Sequence, residues 1–555
     1  MMILKSGQSL FPAASSVRYQ RWFRTLAKTT LTTTACLQQF PLGADAWLSR
    51  SLVTSYRQSM VKHPLLRHHF SMLSALTQTQ DEEKMTRDAL LIVDSAIEAV
   101  SPYTAVKSHF QYNSQDNTLS IGAETTLPVD KYQEIVLVAF GKASSAMATA
   151  VVEQLKDASN LPKLSGLVIC KDDHATTAEQ ETLQALKIPI HFASHPVPDA
   201  RSADAAQQIL DLVKKKASAT TLVICCISGG GSSLFCRPRD PLTLKDLQAT
   251  NSLLLASGMG IQEINVIRKR LEEGKGGRLA VAGYPSTVAT LVLSDVLGDP
   301  LDLIASGPTV PDTSTWQDAW RLVQQYDIQD DLSPMVLVML QEGMDGILED
   351  SPPPDHPVFA ESPIVLVGNN NIAVEAAAEK AKDLGYYPMI LGTHVEGEAK
   401  EIAHIYTAMA LYLQQQAQRE KPSPYAMAPS LPVALIAGGE TTVSLGSSTG
   451  KGGRNQELAL SAALQLESLG LRNVVLASVG TDGTDGPTDA AGAVVDGTTV
   501  TRDLAAAQEA LDQHNAYPLL KEWTKDGQGA PLIKTGPTGT NVADVCVTLI
   551  SKARE

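Results

Sequence analysis

The chain has little that would set it apart from an ordinary globular protein. Aromatic residues make up 5% and charged residues 19% of its 555 positions, against 44% hydrophobic. That balance belongs to a chain that buries a core. No apolar run reaches the about 18 residues that a membrane span needs. The stretch ALLIVDSAIEAV is broken by Asp94 and Glu98, so no span is expected. Net positive charge is also missing. A formal charge of −15 excludes holding nucleic acid by bulk electrostatics, and an anionic ligand would need a local basic pocket. The six cysteines (Cys36, Cys170, Cys225, Cys226, Cys236 and Cys546) form no CxxC pair and no zinc spacing. Four of them, Cys170, Cys225, Cys226 and Cys546, lie in apolar runs and read as buried, reduced thiols of an intracellular protein. At this length a single core is insufficient, and two domains of roughly 150 to 250 residues are expected.

The amino end differs from the rest. Lys5, Arg18, Arg21, Arg24, Lys28, Arg50, Arg57, Lys62 and Arg67 face one acid, Asp45, among frequent Ser and Thr. Basic, hydroxyl-rich and acid-poor, residues 1–70 read as a mitochondrial transit segment. The alternative is a tail with no address on a cytoplasmic protein.

From Asp81 the pattern becomes regular. DEEKMTRDALLIVDSAIEAV has helical apolar spacing. EIVLVAF, LSGLVIC, TLVICCI and TVATLVLSDV read as buried strands alternating with helices such as ARSADAAQQILDLVKKK. The second half repeats the style in PIVLVGNNNIAVEAAAEKAKDLGY, YPMILG, PVALIAGG, NVVLASVGTD and GAVVDG. The expectation is an α/β fold of mostly parallel sheets, with ligands at the carboxyl ends of the strands. The Pro-rich loops EDSPPPDHPVFAESP and QQQAQREKPSPYAMAPS mark boundaries.

The most informative stretch is TLVICCISGGGSSLF, residues 221–235. A strand runs into Ser228, Gly229, Gly230, Gly231, Ser232 and Ser233. Glycines let backbone N–H groups approach an anion, and a following helix start adds partial positive charge. The alternative is a tight turn with no ligand. Lys142 follows Gly141 directly after another strand, but Val136 stands where a P-loop needs its first glycine. His195 lies in the proline-fixed loop SHPVPDARS, facing either substrate or its own backbone. Asp295 and Asp299 sit at a strand end. Asp482, Asp485 and Asp489 sit in the loop TDGTDGPTDAAGA. Clustered carboxylates at strand ends suit Mg²⁺, although Asp-Gly is also a turn dipeptide. Glu440 and Thr441 follow the strand PVALIAGG, and Lys451 and Arg454 precede a helix. GKGGR occurs twice, at 274–278 and 450–454, which is too short to establish a repeat. A last Gly/Thr loop, TGPTGTNVADV, carries Asn541 and Asp544.

Together the blocks AFGKASSAMA, SHPVPDARS, SGGGSSLF, EGKGGRLA, SDVLGDPLDLIASGPT, VGNNNIAVEAA, GGETTVSLG, GKGGRNQELAL, GTDGTDGPTDAAGA and TGPTGTNVAD resemble the class II glycerate kinases. That family's carboxyl-terminal unit carries a MOFRL-type motif. The blocks run in the family's order from about residue 81 to residue 550. The resemblance implies two α/β domains with the active site in the cleft between them. One is a Rossmann-like parallel sheet at 81–325. The other spans 326–555 and includes the MOFRL unit at about 431–550. It also implies ATP-dependent phosphorylation of D-glycerate, usually at the 2-hydroxyl, with Mg²⁺. Lys142 and Arg454 match the motif positions of the catalytic Lys and Arg.

The residues themselves fit that chemistry. Phosphoryl transfer needs positioning and cations against the charge on the moving group. Lys142 and Arg454 would stabilise that charge or clamp the glycerate carboxylate. Ser228 to Ser233 and Lys451 would hold ATP phosphates. His195, Arg278, Glu440 and Thr441 would surround the substrate. One Asp, Asp295 or Asp482, would carry Mg²⁺ while another accepts the hydroxyl proton, with Asp299, Asp485 and Asp489 as further metal candidates. A hydroxypyruvate reductase-type dehydrogenase is the rival enzyme, but Leu234 stands where its third nucleotide-binding glycine belongs. A non-catalytic small-anion binding protein would not need both Lys142 and Arg454. Both a monomer and a homodimer are compatible with the sequence.

Overall fold

The computed structural model describes residues 64–156, 162–421, 423–425, 430–525 and 531–552, with side chains from Asp81 onward. The expected transit segment lies outside the described residues as far as residue 63. From Pro64 the chain already forms the helix Pro64–Ala99, which starts before the acid-rich turn at Asp81. Residues Gln78–Glu555 form one compact unit. Three short strands missed by the sequence reading, β1 (Phe110–Asn113), β2 (Thr118–Ile121) and β3 (Thr125–Pro128), make an antiparallel sheet. Their alternation is too brief to register as a strand signal.

The main amino-half sheet is wholly parallel. It contains β4 (Glu134–Phe140), β5 (Lys163–Lys171), β6 (Ile190–Ala193), β7 (Thr221–Ser228), β8 (Thr287–Leu293) and β9 (Ile364–Gly368), in the order β6-β5-β4-β7-β8-β9. Every residue of β7 is buried, as expected of a strand covered on both faces. The chain leaves β4 toward β5 and β6 on one side, then returns at β7 and continues to β8 and β9 on the other. The point of reversal lies between β4 and β7. Their carboxyl ends therefore open a crevice at a topological switch point, where ligands of such sheets bind.

The second sheet comprises β10 (Tyr387–Val395), β11 (Val433–Gly439), β12 (Val474–Gly480), β13 (Gly492–Asp496), β14 (Leu532–Ile533) and β15 (Asp544–Ile550). Its order is β10-β11-β15-β12-β13-β14. It is mixed, not mostly parallel. β15 runs antiparallel between β11 and β12 and pairs Asp544 with both Gly439 and Gly480. This inversion brings the first residue of β15 to the edge where β11 and β12 end.

One hydrophobic core joins facing sides of both sheets. It includes Leu137, Ile224 and Leu291 from the first and Ile436, Val475 and Val547 from the second. The helices Ser144–Leu155 and Asn370–Asp383 contribute Met147, Val151, Ala373 and Ala377 to it. No single described helix is long and apolar enough to cross a membrane. The bent pair Asp81–Ala99 and Pro102–His109 passes that test by composition, but its Ile92, Val93 and Val106 are fully buried in this core. A separate cluster around Trp316 packs the helices Leu244–Ala256, Ile261–Leu271, Trp316–Gln325 and Pro334–Met344 into a cap.

After the end of β9, Asn369 ties the β8 and β9 loops of the first sheet together, and Asn370 reaches across to the second sheet. Asn369 Nδ2 donates to Asp299 Oδ2 at 2.6 Å. Asn370 Nδ2 donates to the carbonyls of Val542 at 2.8 Å and Asp544 at 3.0 Å. Asn370→Ala is expected to lower the unfolding free energy by about 1–3 kcal/mol, because two buried carbonyls lose their donor. Thermal and denaturant unfolding measure this, and an unchanged midpoint would show that other contacts hold the edges.

Candidate functional site

The crevice between β4 and β7 is built from two turns that brace each other. The Lys142 N–H donates to the Gly229 carbonyl at 2.9 Å, and the Ala143 N–H donates to Ser228 Oγ at 3.1 Å. Ser228 is 1% exposed, so its hydroxyl fastens the turns and does not face a ligand. The glycines are required by close approach. A Cβ on Gly229 would lie 2.1 Å from Asp295 Oδ2. Gly230 has φ +79°, and a Cβ there would stand 2.9 Å from the His195 ring and 3.2 Å from Lys142 Cγ. The turn is thus flanked by Asp295 on one side and by His195 and Lys142 on the other. The N–H groups of Gly229, Gly230 and Gly231 donate to no oxygen among the described residues. They line a cavity of about 370 Å³ together with His195, Asp295, Ser232 and Ser233. The helix start expected after them is a single turn, Gly231–Leu234, so its dipole adds little and the free N–H groups themselves carry the anion-binding capacity.

Electrostatics divide the flanking groups by role. Lys142 is half-buried, and its ammonium has no hydrogen-bond or ion-pair partner among the described residues. Burial holds the His195 imidazole at a pKa of about 4, with Lys142 and Lys171 adding to the shift. His195 is therefore neutral near pH 7 and cannot clamp a carboxylate as a cation. Burial raises the Asp295 carboxyl above the usual aspartate range, and Lys142 only partly opposes it.

The second sheet presents the complementary half. Arg454 grips Asp544 in a fork, with Nε at 2.6 Å and a terminal nitrogen at 2.9 Å, and its other terminal nitrogen meets Glu440 Oε1 at 3.0 Å. Burial works against the Arg454 charge, but Asp544 and Glu440 more than offset it and raise its pKa. Burial raises Glu440, and the charges of Asp544 and Asp295 push it further. The contact between the two sheet ends is made by Asn370, which follows β9 and donates to the Asp544 carbonyl at the start of β15, and Asp544 in turn holds Arg454.

Other sequence candidates fall elsewhere. Arg278 does not line this cavity. It donates to the Lys269 carbonyl at 2.7 Å, and burial lowers it to about 10, with Arg239 and Arg270 contributing. Lys451 stacks its ammonium 5.1 Å from the Tyr517 ring centroid. The two GKGGR stretches are used in opposite ways. In the first, fully buried Lys275 pins the glycine turn through the Ser232 carbonyl at 2.7 Å. In the second, Arg454 is held by Asp544 and Glu440, and Lys451 lies over the Tyr517 ring. What they share is a helix start at the Arg. Asp485 is consumed by four donors from Asn455 and Gln456 and anchors the start of the helix Arg454–Ser468. Asp489 is paired with Lys534 at 2.8 Å and exposed. Asp482 accepts from the Thr484 N–H and hydroxyl, a turn of the kind Asp-Gly favours. Asp299 accepts from Asn369 between the loops that follow β8 and β9, and Thr441 lies buried with its hydroxyl unpartnered. The sequence reading missed Asn370 as a bridge between the sheets, and it missed Arg268 and Glu272 in the cavity wall. The helical spacing of Arg268 behind Ile261 was the available signal.

Gly230→Ala is expected to weaken binding of inorganic phosphate or a nucleotide by about tenfold or more. The new methyl forces a left-handed backbone strain and displaces His195 or Lys142. Titration calorimetry measures it, and unaltered affinity would remove the turn from the anion site.

Comparison with known proteins accords with this geometry. A model for a domain of unknown function (DUF4147) matches residues 88–341, and the MOFRL family model matches residues 433–544. The D-glycerate 2-kinase of Thermotoga maritima is 39% identical over 473 residues, which is 85% of this chain and 99% of that protein. A putative hydroxypyruvate reductase of Agrobacterium vitis is 40% identical over 434 residues, 78% of this chain and 90% of that protein. The crystal structure of the Thermotoga maritima glycerate kinase aligns with a TM-score of 0.69 at 37% identity, covering 84% of this chain and all of that one. With two α/β sheets, a glycine turn at the switch point and matches that extend over nearly the whole of these relatives, the chain belongs to the class II glycerate kinases of the MOFRL family.

Proposed function

We propose that this protein transfers the γ-phosphoryl group of ATP to D-glycerate and yields 2-phosphoglycerate. The observation that carries the reading is an unpaired ammonium, Lys142, beside three unused backbone N–H groups, with a carboxylate-braced guanidinium at the facing sheet edge. That arrangement suits a polyphosphate and a small acid better than either alone.

In this reading the N–H groups of Gly229–Gly231 hold nucleotide phosphates and Lys142 follows the charge of the moving phosphoryl group. Arg454 is oriented by Asp544 and Glu440 to meet the phosphoryl oxygens from the facing side. The glycerate hydroxyl oxygen forms the new bond to Pγ, and the bond to the β,γ-bridging oxygen breaks, its electron pair leaving with ADP. The hydroxyl proton passes to Asp295, whose burial makes its carboxylate a stronger base than an ordinary aspartate.

Among the described residues no set of three or more His, Cys, Asp or Glu side chains is arranged to hold a metal. Mg²⁺ requires only one or two carboxylates plus phosphates and water. Glu440 fits, because one of its oxygens is engaged by Arg454 and its neighbours Asp544 and Asp295 create a negative field that a dication relieves. Bound there, Mg²⁺ would neutralise phosphate charge.

The name of the Agrobacterium relative keeps a reductase reading in view. Phosphorus NMR of the products from ATP and D-glycerate separates the readings. The 2-phosphoglycerate resonance is expected. NADH oxidation with hydroxypyruvate and no phosphorylated product would overturn the proposal.

Lys142→Ala should lower kcat by about 10²–10³ while the protein stays folded. Arg454→Lys should also fail, because a single ammonium cannot reproduce the fork on Asp544 and still reach Glu440. Activity within a few-fold of wild type in steady-state assays would refute either role. The pH profile should fall as Asp295 becomes protonated, with its acid limb above the ordinary aspartate value of about 3.9. Asp295→Asn should remove that limb along with most of the rate.

A further inference from the structure

We propose that the cavity outside β7 contains a nucleobase subsite, formed by two cap helices, that holds the purine of the phosphoryl donor while the glycine turn holds its phosphates. The inference rests on the nucleotide-dependent reading above and extends it to residues that the phosphoryl chemistry does not use.

The helix Leu244–Ala256 places Gln248, Asn251 and Leu255 at successive turns of one face, and all three line the cavity. The helix Ile261–Leu271 adds Ile261 and Arg268, two turns apart. Val197 supplies the wall from the loop after β6. The rim is more apolar than solvent exposure favours. Val197 is 58% exposed, Leu255 67% and Ile261 50%, and all three border this one opening. A planar base would cover them and remove their surface from water.

The polar groups between them are half-used in complementary ways. Gln248 Nε2 donates to the Pro198 carbonyl at 2.7 Å, which leaves Gln248 Oε1 as an acceptor with no donor among the described residues. Asn251 Oδ1 accepts from Arg268 Nε at 2.7 Å, which leaves Asn251 Nδ2 as a donor with no acceptor among them. One free acceptor and one free donor lie a helical turn apart. In kind they are the complements of the donor and acceptor that the pairing edge of a purine offers. A three-carbon acid is a poor occupant. It has no use for the aliphatic rim, and Arg268, the one permanent cation lining the cavity among the described residues, is engaged by Asn251. The cavity volume, about 370 Å³, lies within the range of small-ligand pockets.

The test compares ADP with inorganic tripolyphosphate, which has the phosphates and no base. The full chain carries Leu255→Ser with Ile261→Ser. Both positions are exposed, so folding should survive, and Gln248→Leu alone provides a second variant. Calorimetry should show ADP binding weakened about tenfold by the double variant, with tripolyphosphate within about twofold of wild type. Equal weakening of both ligands, or of neither, would overturn the subsite. So would a raised KM for glycerate with ADP affinity intact, which would assign the cavity to the acid. A wild-type protein that binds ADP with this variant pattern, but never phosphorylates glycerate, would sink the proposed reaction and leave the subsite standing.

Discussion

Two cations held on different sheets, only one of them neutralised, set the character of this molecule. Arg454 is fixed by three contacts to Asp544 and Glu440 and cannot wander. Lys142 has a flexible stem and no partner among the described residues. A rigid planar cation and a mobile point charge are suited to different parts of a phosphoryl transfer. The first orients, and the second can follow charge as it shifts. Both require that two sheet edges face each other. That depends on β15 running against its neighbours and on Asn370 crossing the gap.

The reversal between β4 and β7 explains why the glycine turn lies where it does. In a parallel sheet, loops after neighbouring strands diverge only where the winding changes direction. Gly229 and Gly230 admit Asp295, His195 and Lys142 to positions that a side chain would block. Lys275 then holds the turn through the Ser232 carbonyl, and the three N–H groups donate to no oxygen among the described residues.

Much of this was legible in the sequence. The parallel strands, the glycine turn, Lys142, Arg454 and Asp295 are signalled by local patterns of apolar runs ending in Gly and charge. Residues whose role depends on non-local packing were less visible. Asp485 resembles a metal ligand in the run TDGTDG, yet its donors come from a helix start some thirty residues earlier in the chain. Arg278 and Lys451 sit in the same pentapeptide as Lys275 and Arg454, yet Arg278 donates to the Lys269 carbonyl and Lys451 lies over the Tyr517 ring. The antiparallel insertion of β15 was invisible because a fully buried strand reads alike in either direction. The cap helices show ordinary amphipathic spacing, which does not reveal that one face lines a cavity.

The central claim is that a single phosphoryl group meets both sheets at once. The most direct measurement is a crystal structure with D-glycerate and a non-hydrolysable ATP analogue. The account predicts a γ-phosphate between the Lys142 ammonium and the Arg454 guanidinium, with nucleotide phosphate oxygens on the N–H groups of Gly229–Gly231. A terminal phosphate bound away from either cation would contradict it.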